Sequence, residues 1–231
     1  MSGRRLLRIR NPLPVHRVGT YAAGGAFAAG EYLSFIGNGG AFIVSSAGMN
    51  ATQGFFAFCT RMAWNDASEP LAGADYPYCM QWGSGYPVGM DLAYENTTNR
   101  FIILRNGSAG GYQSGSMTMV IDDIHTVIYR WTATTYGISV NGGAFNDTAD
   151  TSTTAVGDAT FKIGADQNDA REWGNYYRSA LWGAGVLSNA DASWINSLLR
   201  ANHPAPQSQL PAAALVKGFW NCDGASYRGA A

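Results

Sequence analysis

The chain has 231 residues, enough for one large domain or two small ones with a buried core. Hydrophobic residues make up 46%, which excludes a disordered tail protein, and no run reaches the 18 apolar residues of a spanning helix, so no membrane partner is expected. Charged residues are only 13%, about half the usual share of roughly 25%, and the net charge is −1; glycine (29) with Ser, Thr and Asn takes their place, as in a turn-rich β protein or a surface that faces other protein.

Residues 1–30 read as an extended N-terminal arm. Arg4, Arg5, Arg8, Arg10 and Arg17 all precede the first acid, Glu31, so a basic segment leads an acidic remainder. Pro12 and Pro14 stiffen it, and 22–30 is Ala- and Gly-rich. Arginine forks suit carboxylates on a protein partner, with Leu6, Leu7 and Ile9 as apolar anchors. No aromatic residue interleaves the arginines and no nucleic-acid module is present, so no nucleic-acid partner is expected. The stretch Leu6-Leu7-Arg8-Ile9-Arg10-Asn11-Pro12 interrupts any signal-peptide apolar region, so synthesis in a host cytoplasm without a signal peptide is expected, with the virion as the final location.

Residues 31–201 read as the body. Phe56, Phe58, Thr60, Met62 and Trp64 alternate with Phe55, Ala57, Cys59, Arg61 and Ala63, a period of two that predicts a strand over 54–64. Further strands are predicted at 77–83, 88–95, 100–106, 117–121, 124–132, 135–141, 159–164 and 176–187. Turns are predicted at 37–40, at Asn106-Gly107 and at Asn141-Gly142-Gly143. Many short strands at such spacing predict a two-sheet sandwich or a barrel. One helix is predicted over 188–201. Ser188 with Asp191 resembles a capping box, Ala192, Ile195, Leu198 and Leu199 recur at helical spacing, and His203-Pro204 stops it. Residues 202–231 read as a C-terminal arm. Cys59, Cys79 and Cys222 have neither the count of a disulfide framework nor a CxxC spacing, so they are expected reduced.

The stretch 33–64, LSFIGNGGAFIVSSAGMNATQGFFAFCTRMAW, resembles the opening of concanavalin A-like, laminin-G-like jelly-roll domains. The resemblance continues in order through 124–143, 159–167 and 177–199, about 170 residues in all. It implies an all-β, two-sheet antiparallel sandwich with one short C-terminal helix and extended arms at both ends. The superfamily includes lectins, glucanases, adhesion modules and viral structural proteins, so fold alone does not give function.

The residues speak against catalysis. Related glucanases carry closely spaced carboxylates on one strand face. Here Asp91 and Glu95 lie four residues apart, about 13 Å along a strand, and Asp122 and Asp123 point oppositely, as turn residues do. No catalytic residue is expected. No cofactor is expected either; Asp166 and Asp169 are the densest oxygen cluster, a weak candidate for calcium. For carbohydrate, the candidate stacking aromatics are Trp173, Tyr176 and Tyr177 before the last strand, with Trp82 and Tyr86, whereas Trp131 reads as core. Such sandwiches usually work outside cells, and a missing export signal fits proteins released by lysis. The leading expectation is therefore a non-enzymatic bacteriophage virion protein. Capsid decoration comes ahead of a tail or fibre role, with homo-oligomers, capsid or tail proteins as partners, and anchoring by Arg4, Arg5, Leu6, Leu7, Arg8, Ile9, Arg10 and Arg17. The alternatives are a carbohydrate-binding module for host adsorption and a glycoside hydrolase-related enzyme.

Overall fold

In a computed structural model of the chain, the period-two run becomes the central strand of one sheet. The structure describes residues 33–34, 42–62, 77–83, 89–95, 98–105, 108–112, 120–149, 160–165, 173, 175–201, 215–221 and 226–228. In chain order the strands are β1 (Leu33–Ser34), β2 (Phe42–Ser45), β3 (Gly54–Arg61), β4 (Tyr78–Trp82), β5 (Met90–Glu95), β6 (Arg100–Arg105) and β7 (Ser108–Tyr112). Then come β8 (Ile124–Trp131), β9 (Thr135–Val140), β10 (Thr148–Ala149), β11 (Thr160–Ile163), β12 (Tyr176–Ala184), helix α1 (Asn189–Arg200), β13 (Val216–Asn221) and β14 (Ser226–Arg228).

The larger sheet runs β10-β9-β8-β3-β12-β13-β14, with β1 also on β12; the smaller runs β2-β11-β4-β5-β6-β7. Every pairing among the described strands is antiparallel. Alternation turns Phe56 and Phe58 of β3, Val127, Tyr129 and Trp131 of β8, and Ala180 and Trp182 of β12 inward. They meet Met80 and Trp82 of β4, Leu92 and Tyr94 of β5, and Phe101 and Ile103 of β6. The described residues form an all-β sandwich with one helix.

The other face of the larger sheet is apolar too. Phe55, Ala57, Ile128, Leu181 and Phe219 form a second core with Ala192, Ile195, Leu198 and Leu199 of α1. The helix begins where the sequence predicts it. The Asp191 backbone N–H donates to the Ser188 hydroxyl at 3.1 Å, and Arg200 lies in the last turn, where a cation suits the helix dipole.

Three expectations change. The strand predicted over 54–64 ends at Arg61, and the Met62 N–H turns to the Asp123 carbonyl (2.9 Å). The end of the strand predicted at 117–121 is instead a turn, closed by the Asp123 N–H on the Val120 carbonyl (3.1 Å), with Asp122 at φ 72°; residues 117–119 lie outside the described residues. Within 202–231, read as an arm, β13 extends the larger sheet and β14 pairs with β13. Gly218 shows why β13 fits: it pairs with Trp182, whose indole lies over its Cα so closely that a Cβ would meet the ring at 2.2 Å. The arm at 1–30 lies outside the described residues.

Candidate functional site

The outer face of the smaller sheet carries a polar row where a solvent-facing sheet would show scattered side chains. Met80 and Trp82 point into the core, so Gln81 between them points out. By the same alternation Asp91 and Glu95 of β5, Arg100 of β6 and Lys162 of β11 point out, because Leu92, Tyr94, Phe101, Phe161 and Ile163 point in. The register lines three of them up: Lys162 is opposite Gln81, and Gln81 is opposite Asp91. Strands lie about 4.8 Å apart, so the row reads ammonium, amide, carboxylate in two steps. One pleat repeat further along, Tyr78, Ala93 and Ile102 form a small apolar cluster, also in register, and then Glu95 faces Arg100. The Thr98 hydroxyl bonds the Glu95 carboxylate.

The row is sheltered. Asp91 is 0% exposed, Gln81 3% and Glu95 5%. The Gln81 side-chain oxygen is buried without a hydrogen-bond partner among the described residues. Leaving a buried acceptor unmet costs about 1–3 kcal/mol, so the fold tolerates this arrangement at a loss. An incoming hydroxyl would recover it. β4 presents this group because of its bulge: the register shifts between Tyr78 and Met80, which sends both Cys79 and Met80 inward and leaves Tyr78 and Gln81 on the outer face.

The aromatic residues predicted to stack on sugar mostly build the core instead. Trp173 is fully buried. Its indole N–H donates to the Thr60 hydroxyl (3.1 Å), which donates to the Tyr176 carbonyl (2.9 Å), and its ring packs against Phe58, Tyr94 and Phe101. Tyr177 is buried with its hydroxyl on the Cys79 carbonyl (2.8 Å), and burial holds that phenol well above its ordinary pKa. Trp82 is buried against Trp131. Tyr176 is half-buried. Tyr86, the calcium candidates Asp166 and Asp169, and the arm residues from Arg4 to Arg17 lie outside the described residues. Among the described residues no three His, Cys, Asp or Glu side chains converge as a metal site.

At the sandwich edge, Asn141 holds a second polar cluster. Its side-chain oxygen accepts from the Thr126 N–H (3.0 Å) and from the Arg200 guanidinium (3.0 Å). Two obligate donors fix the amide's orientation, so its NH2 faces the His125 ring at 2.9 Å and donates to Nδ1. Asn141 reaches this position at φ 53°, in the turn the sequence predicts, beside Gly142 at φ 77°. Arg130 makes a third cluster: it bonds Asp147, the Leu187 carbonyl (2.9 Å) and Asn189 (2.8 Å), and lies 3.8 Å over the Phe145 ring. Both clusters tie α1 to the larger sheet, through Arg200 on Asn141 and the Ile124 carbonyl and through Arg130 on Asn189. The smaller sheet's row holds the Gln81 acceptor between a cation and a carboxylate; among the described residues the Ser179 hydroxyl and the Asn196 side-chain oxygen are likewise buried without a hydrogen-bond partner. Sequence reading missed the row because Gln81 sits in no motif; the parity shared by Asp91 and Glu95 was its visible trace.

Comparison with solved structures gives the fold. The CBM40 module of the Ruminococcus gnavus IT-sialidase is similar with a TM-score of 0.54 and 13% identity, over 72% of this chain and 96% of that one. Trypanosoma rangeli sialidase gives 0.53 and 10%, over 74% of this chain and 28% of that one, so the chain spans little more than a quarter of its length. The native heptameric SAP-like pentraxin of Limulus polyphemus gives 0.51 and 10%, over 64% of this chain and 71% of that one. The sandwich is of the concanavalin A-like jelly-roll kind. The sequence matches no family model and no curated protein sequence.

Proposed function

We propose that the protein is a non-catalytic carbohydrate-binding sandwich that reads sugar hydroxyls with the polar row on the outer face of its smaller sheet. The observation that carries this reading is Gln81: a buried, unpartnered acceptor set between a cation and a carboxylate on adjacent strands. Each sugar hydroxyl can both donate and accept, so a set of them suits an ammonium, an amide and a carboxylate side by side. The likeness to a sialidase's CBM40 module supports the reading as a fold that serves that role elsewhere. Catalysis has no support in the carboxylates. Asp91 and Glu95 stand four residues apart on one strand, about 13 Å, beyond the separations of roughly 5–9.5 Å that glycosidases use.

The test is a glycan array followed by calorimetry on the purified chain. At least one oligosaccharide is expected to bind, and Gln81→Leu is expected to weaken it at least tenfold. An array without hits would sink the reading. So would binding that Gln81→Leu leaves unchanged.

A second reading, a virion structural subunit anchored by residues 1–30, keeps one observation in its favour. A charged share of 13% suits a surface that faces other protein. It predicts that a chain lacking residues 1–20 folds but no longer co-purifies with particles.

A further inference from the structure

We propose a second binding site, independent of the smaller sheet's row: a cleft beside α1 that takes the acetamido group of an N-acetylated sugar. The cleft lies in the seam between α1 and the loop 141–147, off both sheet faces. That seam is pinned at its two ends. At one end Arg200 of α1 bonds the Asn141 side-chain oxygen (3.0 Å). At the other, Arg130 bonds both Asp147 of the loop and Asn189 of the helix. Between the pins the loop is Gly142-Gly143-Ala144, which has little side chain to fill the gap, and a cavity of about 120 Å³ remains. Residues 142–145 line it from the loop, and Asn189, Ala192 and Ser193 from the helix. Gly142, Gly143, Ala144, Asn189 and Ser193 are exposed, so the cleft opens to solvent. One turn further along α1 the seam is unfinished as well. Asn196 lies against Gly142, where a Cβ would meet its Nδ2 at 2.9 Å, yet its side-chain oxygen is buried without a partner.

Size, charge and polarity together give the ligand's chemistry. A cavity of about 150 Å³ holds one benzene ring, so this cleft takes a group smaller than a six-membered ring and leaves a pyranose at its mouth. No charged side chain lines it, and the two arginines that pin its ends are engaged with Asp147 and Asn189 and with Asn141 and the Ile124 carbonyl. A carboxylate or phosphate would lose hydration here without a counter-ion. The lining is polar on one side: Asn189 uses its oxygen on Arg130 (2.8 Å), which leaves its NH2 to donate, and among the described residues the Ser193 hydroxyl has no partner. Ala144, Phe145 and Ala192 supply carbon. An acetamido group is one methyl, one acceptor and one donor. Its methyl would lie on Ala192 and Phe145, its carbonyl would accept from the Asn189 NH2, and its N–H would donate to the Ser193 oxygen.

The experiment follows backbone amide signals of the nitrogen-15-labelled full chain by NMR. N-acetylglucosamine, glucose and N-methylacetamide are each added to about 20 mM, enough to see millimolar binding. N-acetylglucosamine is expected to move the signals of Gly142, Gly143, Ala144 and Ser193 at least fivefold further than glucose does, and N-methylacetamide to move the same signals. Ser193→Trp fills the cleft from an exposed helix position and should abolish these shifts at an unchanged thermal midpoint; Ser193→Gln serves if the larger ring lowers that midpoint. Gln81→Leu should leave the shifts as they are, which separates this site from the smaller sheet's row. Equal shifts with glucose, or shifts that survive filling of the cleft, would overturn the acetamido site. Shifts with N-methylacetamide alone would overturn the sugar as its source. No shift with any of the three would mean that the cleft holds water only and would overturn the proposal, while the carbohydrate-binding reading of the other face would stand or fall on its own array.

Discussion

The two sheets hide their outer faces with opposite chemistry. On the larger sheet, Phe55, Ala57, Ile128 and Leu181 turn outward and are met by Ile195, Leu198 and Leu199 of α1. On the smaller sheet the outward positions of β4, β5 and β11 are Gln81, Asp91 and Lys162, of which the first two are as buried as the helix-covered residues. Both faces obey the same period of two. The difference teaches that burial alone does not identify a site: an apolar face covered by a helix has found its partner, whereas the covered polar face sets an unpartnered amide oxygen between a cation and a carboxylate on adjacent strands. Stability should therefore concentrate on the helix side and recognition on the other.

The sharpest way to break that division is to cut into the helix side. Phe55 is wholly buried beneath α1, and its ring closes on Gly183, where a Cβ would meet it at 2.5 Å. Phe55→Ala should cost about 3–5 kcal/mol, read as a shift of the urea midpoint at unchanged slope. Gln81→Leu on the opposite sheet should cost nothing and is expected to stabilise, because it removes an unsatisfied acceptor. Equal losses at the two positions would erase the distinction between a structural face and a recognition face.

Much of this division was legible in the sequence, but unevenly. The alternation that starts at Gly54, the Asn141-Gly142 turn and the Ser188 cap are local signals, set by pleat, left-handed backbone and unpaired helix amides; the turn and the cap appear where the residues put them, and the strand does so as far as Arg61. The aromatics were harder. Trp173 stands beside Gly174 and Asn175 in what reads as a loop, yet its indole plugs the end of the core because Thr60, 113 residues away in sequence, supplies the partner its N–H needs. No local pattern reports a partner at that distance. The same holds for the polar row, which exists only once β11, β4 and β5 are aligned. Strand β13 was hidden differently: Ala- and Pro-rich residues precede it, and Gly218 reads as a breaker until Trp182 lies over it.

Alkaline pH offers a second way to sharpen the comparison, of slightly smaller size. Cys59 lies in the helix-side core, and burial pushes its thiol from 9.0 to about 11, with Arg178, the Thr126 hydroxyl and Arg200 pulling weakly the other way. The folded state thus holds the neutral thiol that the unfolded chain gives up first. That contribution is complete below pH 9 and is lost as pH rises from 9 through about 11. A shift of this size corresponds to on the order of 3 kcal/mol. Unfolding at pH 8 and pH 11 should show a loss in the natural chain that Cys59→Ala reduces by about that amount. Cys79 and Tyr177, also raised by burial, account for what remains. An identical pH dependence in the two chains would mean that the thiol sits in a wetter place than the helix-side core allows.

The smallest expected effect tests whether α1 owes its position to its own ends or to the face it covers. Ser188 caps the helix: the Asp191 N–H donates to its hydroxyl, and that hydroxyl lies 2.5 Å from the Asp191 carboxylate. Ser188→Ala removes both contacts and exposes one backbone donor, a change of about 1 kcal/mol in typical helices. Here the helix is held elsewhere as well. Arg130 bonds Asn189 and the Leu187 carbonyl beside the cap, Arg200 bonds Asn141 and the Ile124 carbonyl (3.1 Å) at the far end, and four buried residues of α1 face the sheet between them. The cap can fray without the helix leaving. Ser188→Ala should therefore lower global stability by about 1 kcal/mol or less, while amide exchange at Asn189, Ala190 and Asp191 speeds up at least fivefold and exchange in β3 and β8 speeds up by no more than that global loss allows. A loss as large as that of Phe55→Ala would show that the cap, and not the apolar face beneath it, keeps the helix on the larger sheet.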